Sequence, residues 1–592
     1  QAVLHASYMS DKAHVGYQQR GEDFFYAVGR SATILMRYGN DGFYTLQSNG
    51  LNESRVTPRG YPLSFHPEHW LSGLPTLLNP AAKDMLVIGL GGGVVVEAIA
   101  PHIEHIDVIE LEPEVIAANR AVADKRKWDP LQDPRITLVH NDARGALALT
   151  DKRYDIIVSQ PSHPWTAGAS HLYTSEFAHI VAEHLNDNGI FLQWIDAPFI
   201  NHALLQRMVA TLHSAFPYVN LFEHQPGTLH FVASKQPVNP VDQIDAISAT
   251  LARYHSHYTK IGASGIEDIL LAWSLDDAGM RKLSKNAHAN TDDDNALAML
   301  KTFSTHKEAL SGLAKQRQKY DPLETLFEND NQSVDIGFLT ARMLEKGFHE
   351  RTTQLLAATK NASQHHFGDA LLALRAGDFS DATQRLDDSL AADKNNTLAR
   401  ELILKLNKAQ LSARPLPQAL QNHADYLPKN SRAVIDGLQY AAQKNWQQLR
   451  ELEAALSNVR AASPWLSEAA QLRVQWRLAL QKTMPESDNL DIIDRALLLD
   501  SNNADLLALR LTVGRQTNDS EVVIETATLL GRLYLQRYQS LLGSRRSDRQ
   551  HQLSQLQQSC RELSALVGTF KFDDSPQRQR AARLLSELNN VE

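Results

Sequence analysis

Hydrophobic residues in the first half of the chain alternate between two patterns. Short, nearly continuous apolar runs are typical of buried strands. Between them lie segments such as VVVEAIA and PEVIAANRAVA, in which apolar residues recur with the period of a helix. The runs that predict strands are MLVIG (85–89), HIDVIEL (105–111), RITLVH (135–140), YDIIVSQ (154–160), GIFLQWI (189–195), VNLFEH (219–224) and LHFVAS (229–234).

This alternation predicts a mostly parallel sheet with helices on both faces. Only QPGT separates the last two runs, so they must form an antiparallel hairpin. A seven-strand sheet that ends in a hairpin is the arrangement of methyltransferases rather than that of dinucleotide-binding enzymes. We therefore expect a Rossmann-like α/β sheet of the methyltransferase type.

The chain on either side of this sheet follows other patterns. Residues 1–80 contain short alternating runs separated by NG and GND, which predict a small antiparallel β unit. From 306 to 592 the strand signals end and amphipathic helical segments take over. The sequence thus predicts three parts, with bounds of 1–80, 81–305 and 306–592.

The helical part repeats. The run AGDFSDATQRLDDSLAADKNN (376–396) resembles the tetratricopeptide pattern, with Ala382, Leu386 and Ser389 expected on the packing face. Repeats of this kind bury their second face against neighbours, so we expect a tetratricopeptide-like solenoid whose concave face could recruit a protein partner. Turns are expected at four positions separated by 34, 36 and 37 residues: near Lys394, Pro428, Pro464 and Ser501.

The composition narrows the class of protein. The 592 residues are 43% hydrophobic and 21% charged, which is typical of a globular chain. A formal net charge of −9 over this length argues against nucleic-acid binding and against an anionic membrane surface. The single cysteine excludes an internal disulfide.

Hydropathy and the first residue bear on localisation. No run reaches the roughly 18 apolar residues of a membrane span, so none is expected in this chain. The sequence starts at Gln1 rather than Met, and a segment upstream could carry a signal or a membrane anchor. We expect a cytoplasmic protein, with membrane association only through such a segment.

The clearest chemical motif is the glycine-rich loop that follows the first predicted strand. Gly89, Gly91 and Gly93 stand between that strand and a helix, where glycines let the backbone approach a nucleoside cofactor. Glu110 ends the second strand and could accept both ribose hydroxyls, and Asp142 follows the third and could accept from an adenine amino group. The alternative is that both acids only cap helices.

The chain around the glycine loop, Glu110 and Asp142 resembles the spermidine synthase family of polyamine aminopropyltransferases. They are especially similar to a bacterial branch that is often fused to a membrane transporter-like module. The resemblance covers about residues 20–300, and it implies S-adenosylmethionine, its decarboxylated form or the product methylthioadenosine as the nucleoside that the loop and both acids carry. The segments that carry this resemblance are VIGLGGG, VIELEPEV, DPRITLVHNDA and YDIIVSQPSHPWTAGASHLYTSEF.

The chain departs from the family at three positions. Gly92 stands where family synthases carry an acid that holds the cofactor's amine. Gln160 stands where they carry the catalytic Asp, and His163 replaces a second Asp. An attacking amine must lose a proton, which a carboxylate can accept and glutamine cannot. Gln160 and His163 remain the candidate catalytic residues, His163 either as a base near neutral pH or as a hydrogen-bond donor.

Other polar candidates are weaker. Glu53 is near the position where the family faces the amino-acid end of the cofactor. His66 and His69 offer two metal ligands without a third nearby in sequence, so no metal site is expected. The acidic run 292–294 could bind a cation but is more typical of a solvated turn or of a helix start.

Two tryptophans fall at predicted strand ends. Trp165 and Trp194 could line the ligand site or belong to the core.

Two functions stay open. One is a transferase that passes an aminopropyl or methyl group to a small-molecule amine or another nucleophile. The other is a catalytically degenerate binding or assembly protein whose helical repeat recruits a partner. The glycine loop with Glu110 favours the first, whereas Gly92, Gln160 and His163 favour the second.

Overall fold

The computed structural model describes residues 21–39, 42–161, 168–197, 200–298, 306–329, 334–460, 463–480, 486–542, 549–573 and 575–590. These residues form two compact units. The first runs to Val56 and then from Phe65 to Lys394, and the second comprises Thr57–Ser64 and the chain from Asn395 onward.

The first unit begins with a small antiparallel sheet, as the alternating runs predicted. Its strands follow one another in the order β1-β2-β3-β4. Asn49 and Gly50 join β3 to β4 with φ angles of 51° and 81°, the left-handed conformation that an Asn-Gly hairpin turn requires. The strands are β1 (Gly21–Val28), β2 (Thr33–Gly39), β3 (Tyr44–Ser48) and β4 (Leu51–Val56).

The main sheet of the first unit has eight strands in the order β12-β10-β11-β9-β8-β5-β6-β7. β5 to β9 are parallel to one another, and β10 to β12 add antiparallel pairs at one edge. The strands are β5 (Asp84–Ile88), β6 (His105–Glu110), β7 (Ile136–His140), β8 (Tyr154–Ser159), β9 (Leu185–Asp196), β10 (Tyr218–Phe222), β11 (Thr228–Ser234) and β12 (Trp273–Leu275).

The strand count corrects the sequence prediction of seven. All seven predicted runs form strands, and β10 and β11 form the predicted hairpin. The eighth strand, Trp273–Leu275, is three residues long and follows a helix directly. Three residues are too few to show the alternation by which a strand is read from sequence.

Helices cover both faces of this sheet and bury a separate apolar cluster on each. Pro113 opens the helix after β6, as expected for proline in a first turn. Up to residue 284 the helices are α1 (His69–Leu78), α2 (Val94–Glu97), α3 (Pro113–Ala121), α4 (Ala143–Ala148), α5 (Ser175–Glu183), α6 (His202–Ala215), α7 (Ile244–Arg253), α8 (His255–Lys260), α9 (Ile266–Ala272) and α10 (Asp277–Ser284).

The first unit continues beyond the predicted boundary at 305/306. Arg351 donates to the main-chain oxygens of Leu271 and Trp273, both at 2.7 Å, and pairs with Asp321. These contacts bind the helices after 306 to strand β12. The helices are α11 (His306–Tyr320), α12 (Glu324–Asn329), α13 (Ile336–Glu345), α14 (His349–Ala358), α15 (Ala362–Ala376) and α16 (Phe379–Ala392).

The second unit is helical throughout its described part from Asn395. The predicted turns near Pro428, Pro464 and Ser501 fall between consecutive helices of this unit, and the turn near Lys394 ends the first unit, where the predicted packing face of α16 is buried at Ala382, Leu386 and Ser389. The helices are α17 (Thr397–Leu406), α18 (Gln418–Ala424), α19 (Lys429–Ala442), α20 (Trp446–Glu451), α21 (Glu453–Ser457), α22 (Leu466–Leu480), α23 (Glu486–Leu499), α24 (Ala504–Thr517), α25 (Ser520–Leu542), α26 (Arg549–Gly568) and α27 (Ser575–Asn589).

Within the described ranges, no helix is both long enough and apolar enough to cross a bilayer.

Candidate functional site

The carboxyl ends of the parallel strands meet at one edge of the main sheet. β5 lies between β6 and β8, and Ile88 at its end pairs with Ile109 on one side and Ser159 on the other. The chain passes from β5 through β6 to β7 on one side and places β8 on the other, so the strand order reverses between β5 and β8. Open α/β sheets bind ligands at such a reversal, and the predicted glycine loop leaves the sheet here.

The glycine loop has the backbone that the sequence predicted. Gly89, Gly91 and Gly93 adopt φ angles of 90°, 53° and 75°, which side-chain-bearing residues rarely adopt. Gly89 N donates to the oxygen of Ile109 at 2.8 Å, and Gly93 N donates to that of Leu90 at 2.9 Å. The loop is thus a tight turn that starts on β5 and ends at α2.

Glu110 is tied both to this loop and to the start of α3. One carboxylate oxygen accepts from Leu90 N at 2.8 Å, and the other accepts from Glu112 N at 2.9 Å. Burial raises the pKa of Glu110, and these main-chain hydrogen bonds oppose the rise. The main-chain N–H groups of Leu90, Gly91, Leu111 and Glu112 all act on this carboxylate, and acceptance from a ribose stays a proposal. Glu110 therefore links the glycine loop to Glu112, the residue that precedes α3.

Asp142 does cap a helix. Its Oδ2 accepts from Gly145 N at 2.8 Å at the start of α4, and its side chain is exposed. It follows β7 by two residues, so it lies at the same edge of the sheet as Glu110. The capping role is shown, while binding of an adenine amino group stays a proposal for the other oxygen.

Gln160 lies against the glycine loop. Its amide Nε2 donates to the oxygen of Gly89, and its own main-chain oxygen accepts from Trp194 Nε1 at 2.7 Å. A Cβ atom added to Gly89 or Gly91 would first meet this side chain, at 3.2 and 3.5 Å. Gln160 therefore stabilises the turn through a donor, and its side chain offers no group that could take a proton.

Gly92 is enclosed by the small N-terminal sheet. A Cβ atom at this position would lie 2.7 Å from Ser54 Oγ and 2.9 Å from Val56 Cγ2. Both of these β4 residues are buried. The space beyond Gly92, where the resemblance places an acid, is filled by β4.

Tyr173, Pro161 and Trp194 connect the chain at the ends of β8 and β9. The Tyr173 hydroxyl donates to the oxygen of Pro161 and lies 3.2 Å from the oxygen of Trp194. Burial raises the pKa of Tyr173, and the charge of Glu53 adds to the rise. Glu53 thus lies near this edge, and Trp194 is buried in the core. His163 and Trp165 lie outside the described residues.

The weaker polar candidates have protein partners. His69 Nε2 is 3.1 Å from Glu97 Oε1, and both side chains are buried. Asp292 accepts two hydrogen bonds from Arg144, both at 2.8 Å, while Asp293 and Asp294 are exposed, so the acidic run is the expected solvated turn with one residue anchored by an ion pair. The described residues contain no group of three or more His, Cys, Asp or Glu side chains placed to hold a metal.

The structure adds residues that the sequence reasoning missed. Asn119 and Arg126 donate to the oxygens of Gly91 and Gly92, at 2.8 and 2.9 Å. Asp196 ends β9, and burial raises its pKa to about 6. Its place at a strand end was a signal for Asp196, whereas neither the helix pattern around Asn119 nor the turn before Arg126 gave one.

This part of the chain is similar to known proteins. Residues 65–225 match the model of the spermine/spermidine synthase domain. This synthase-like segment is 29% identical over 184 residues to the polyamine aminopropyltransferase of Methanocaldococcus jannaschii, covering 30% of this chain and 62% of that protein. It is 24% identical over 215 residues to the polyamine aminopropyltransferase of Pseudomonas syringae pv. tomato, covering 34% of this chain and 75% of that protein.

Among solved structures, the fold is similar to a spermidine synthase in complex with the transition state analogue AdoDATO. The TM-score is 0.38 at 16% identity, and the match covers 45% of this chain and 88% of that one. The matches to curated relatives support the family resemblance inferred from the sequence. The segment that matches these relatives does not include the helical second unit.

Proposed function

We propose that the synthase-like segment binds a 5′-thioadenosine nucleoside and transfers an aminopropyl or methyl group to an amine or another nucleophile. Decarboxylated S-adenosylmethionine, S-adenosylmethionine and the product methylthioadenosine are the candidate ligands. The observation that carries the proposal is Glu110, a buried carboxylate fixed by Leu90 N at the point where the strand order reverses. The curated relatives are named aminopropyltransferases, which favours a transferase over a degenerate binding protein.

The proposed cofactor supplies a carbon bound to a positively charged sulfur. In aminopropyl transfer the amine nitrogen forms a bond to that carbon, the carbon–sulfur bond breaks, and methylthioadenosine leaves with the electron pair. The amine must also lose one proton. Gln160 cannot accept it, and Asp196, with a pKa of about 6, is the described carboxylate at this edge best suited to that role.

The acceptor is expected to differ from that of an ordinary polyamine synthase. A diammonium substrate is attracted by carboxylates, and this chain has Gly92 and Gln160 where the family resemblance implies acids. We propose that the helical repeat is tetratricopeptide-like and that it recruits a protein partner to the transferase. Two open grooves of about 600 and 650 Å³ in the second unit, beside Trp446 and Tyr534, are candidate contact surfaces.

The test is calorimetric titration of the full chain with each of the three nucleosides, followed by turnover assays. We expect at least one nucleoside to bind, and we expect putrescine turnover with decarboxylated S-adenosylmethionine to be near background. Heat and thermal shift absent for all three ligands would overturn the nucleoside assignment. Rapid spermidine formation would instead show that the departures at Gly92 and Gln160 do not matter.

A further inference from the structure

A buried polar network lies on the α3 side of the glycine loop. The Arg126 side chain is fully buried and donates from Nη2 to Gly92 O at 2.9 Å and from Nη1 to Asn119 Oδ1 at 2.8 Å. Asn119 in turn donates from Nδ2 to Gly91 O at 2.8 Å and to Val115 O at 2.9 Å. Two successive carbonyl groups of the loop are therefore held by two side chains that also hold each other.

The charge of this network is balanced inside the protein. Arg126 Nη2 donates to Glu97 Oε2 at 3.0 Å, and the other oxygen of Glu97 lies 3.1 Å from His69 Nε2. Arg126 Nε nevertheless has no hydrogen-bond partner in the described structure. A buried arginine is costly unless its charge is paired and its donors are satisfied. The loop carbonyls therefore have hydrogen-bond donors, while one donor of Arg126 itself is left without a partner.

The network determines which way the loop amides face. A trans peptide unit points its C=O and N–H in opposite directions. With Gly91 O turned to Asn119, the N–H of Gly92 points away from α3. Gly91 to Gly93 have no side chains of their own to fix this orientation, and a flexible loop must be ordered at the expense of ligand affinity unless the protein orders it beforehand.

We infer that Asn119 and Arg126 are positioning residues of the nucleoside site, which orient the Gly91 and Gly92 carbonyls before the ligand arrives. The inference rests on the proposed nucleoside binding for its affinity readout. The orientation itself can be measured without any ligand.

Asn119→Asp is the sharpest test because it conserves volume. The aspartate keeps an acceptor for Arg126 but presents an oxygen, rather than a donor, to Gly91 O. The change also removes the donor to Val115 O, and loss of the hydrogen bond to Gly91 O alone predicts about tenfold weaker binding of methylthioadenosine in calorimetry of the full chain. The matched control is Asn220→Asp, because Asn220 is equally buried in the same unit and accepts from Trp273 Nε1 at 3.1 Å. The control should bind methylthioadenosine as the wild type does.

Hydrogen exchange of the loop amides separates positioning from general destabilisation. In the ligand-free protein, Asn119→Asp should accelerate exchange at residues 89–93, and Asn220→Asp should not. Arg126→Lys, which can hold Gly92 O or Glu97 but not the whole set, carries the same two readouts if Asn119→Asp fails to fold. If exchange and affinity change no more than in the control, the network is structural only and the inference is overturned. If the wild type binds no nucleoside while loop exchange rises as expected, the proposed function fails, and what stands is that Asn119 and Arg126 order the glycine loop.

Discussion

Replacing Gly92 tests whether β4 closes the loop where the family resemblance places an acid. Gly92 suits this test because its φ angle lies outside the left-handed region, so a side chain adds no backbone strain there. Alanine can therefore adopt the backbone, and any cost is steric. The proposed change is Gly92→Ala in the full chain.

The size of the effect follows from the neighbours. The new Cβ atom would stand 2.7 Å from Ser54 Oγ, 2.8 Å from Ser54 Cβ and 2.9 Å from Val56 Cγ2. Ser54 and Val56 are 8% and 0% exposed, so neither side chain has open space to move into. Overpacking of a well-packed site costs about 1–3 kcal/mol, and we expect Gly92→Ala to lower the free energy of unfolding by that amount.

The assay is urea unfolding of the wild type and of three variants. Gly145→Ala is the control, because its Cβ atom would meet no atom closer than 3.4 Å and alanine favours the helix. Ser54→Gly combined with Gly92→Ala should recover part of the loss, because it removes two of the three close contacts. An unchanged midpoint for Gly92→Ala would refute the steric closure. The closure also implies that Gly92→Asp alone cannot restore an acid without disturbing β4.

Three further outcomes are expected. Glu110→Gln should weaken nucleoside binding about 10- to 150-fold in calorimetry, the range for a lost charged acceptor; unchanged affinity would remove Glu110 from the site. Acid should destabilise the first unit: His224 and His230 are buried, burial lowers both pKa values, that of His230 to about 3, and the unfolded chain binds protons below about pH 6.5. The urea midpoint should therefore hold above that pH and fall below it, with a smaller fall in His230→Leu; equal slopes in the two proteins would contradict this. A fragment of residues 395–592 should be helical by circular dichroism, and a substantial strand signal would contradict the helical second unit.

The parallel strands were predictable from sequence because each is a short, mostly apolar run, and the central strands β5 and β8 are buried on both faces. The predicted MLVIG and YDIIVSQ match Asp84–Ile88 and Tyr154–Ser159 to within a residue or two. The left-handed glycines were equally predictable, since a turn between a strand and a helix requires them. The strand Trp273–Leu275 escaped because its pairing with β10 depends on tertiary contacts rather than on its own pattern.

The contacts of the site were less predictable than its place. The position of Glu110 at a strand end was readable, but its attachment to Leu90 N and Glu112 N was not. From the sequence, Gln160 was interpreted as the replacement of a catalytic Asp. The structure shows that its side-chain amide donates a hydrogen bond to Gly89 O. Ser54 stands 38 positions before Gly92, and no local pattern connects the two residues. Such pairings depend on how sheets pack rather than on spacing along the chain.

The hydrogen bonds that Arg351 donates to Leu271 and Trp273 have a consequence for how this gene could have been assembled from smaller parts. The guanidinium satisfies two main-chain oxygens at the end of the sheet, those of Leu271 and Trp273, from a helix some 80 residues later in the chain. A recombination that joined a new partner at residue 306 would strip both oxygens of their donor and expose the apolar side of β12. A viable exchange point would instead follow Lys394, so the helices between 306 and 392 are expected to be inherited together with the main sheet.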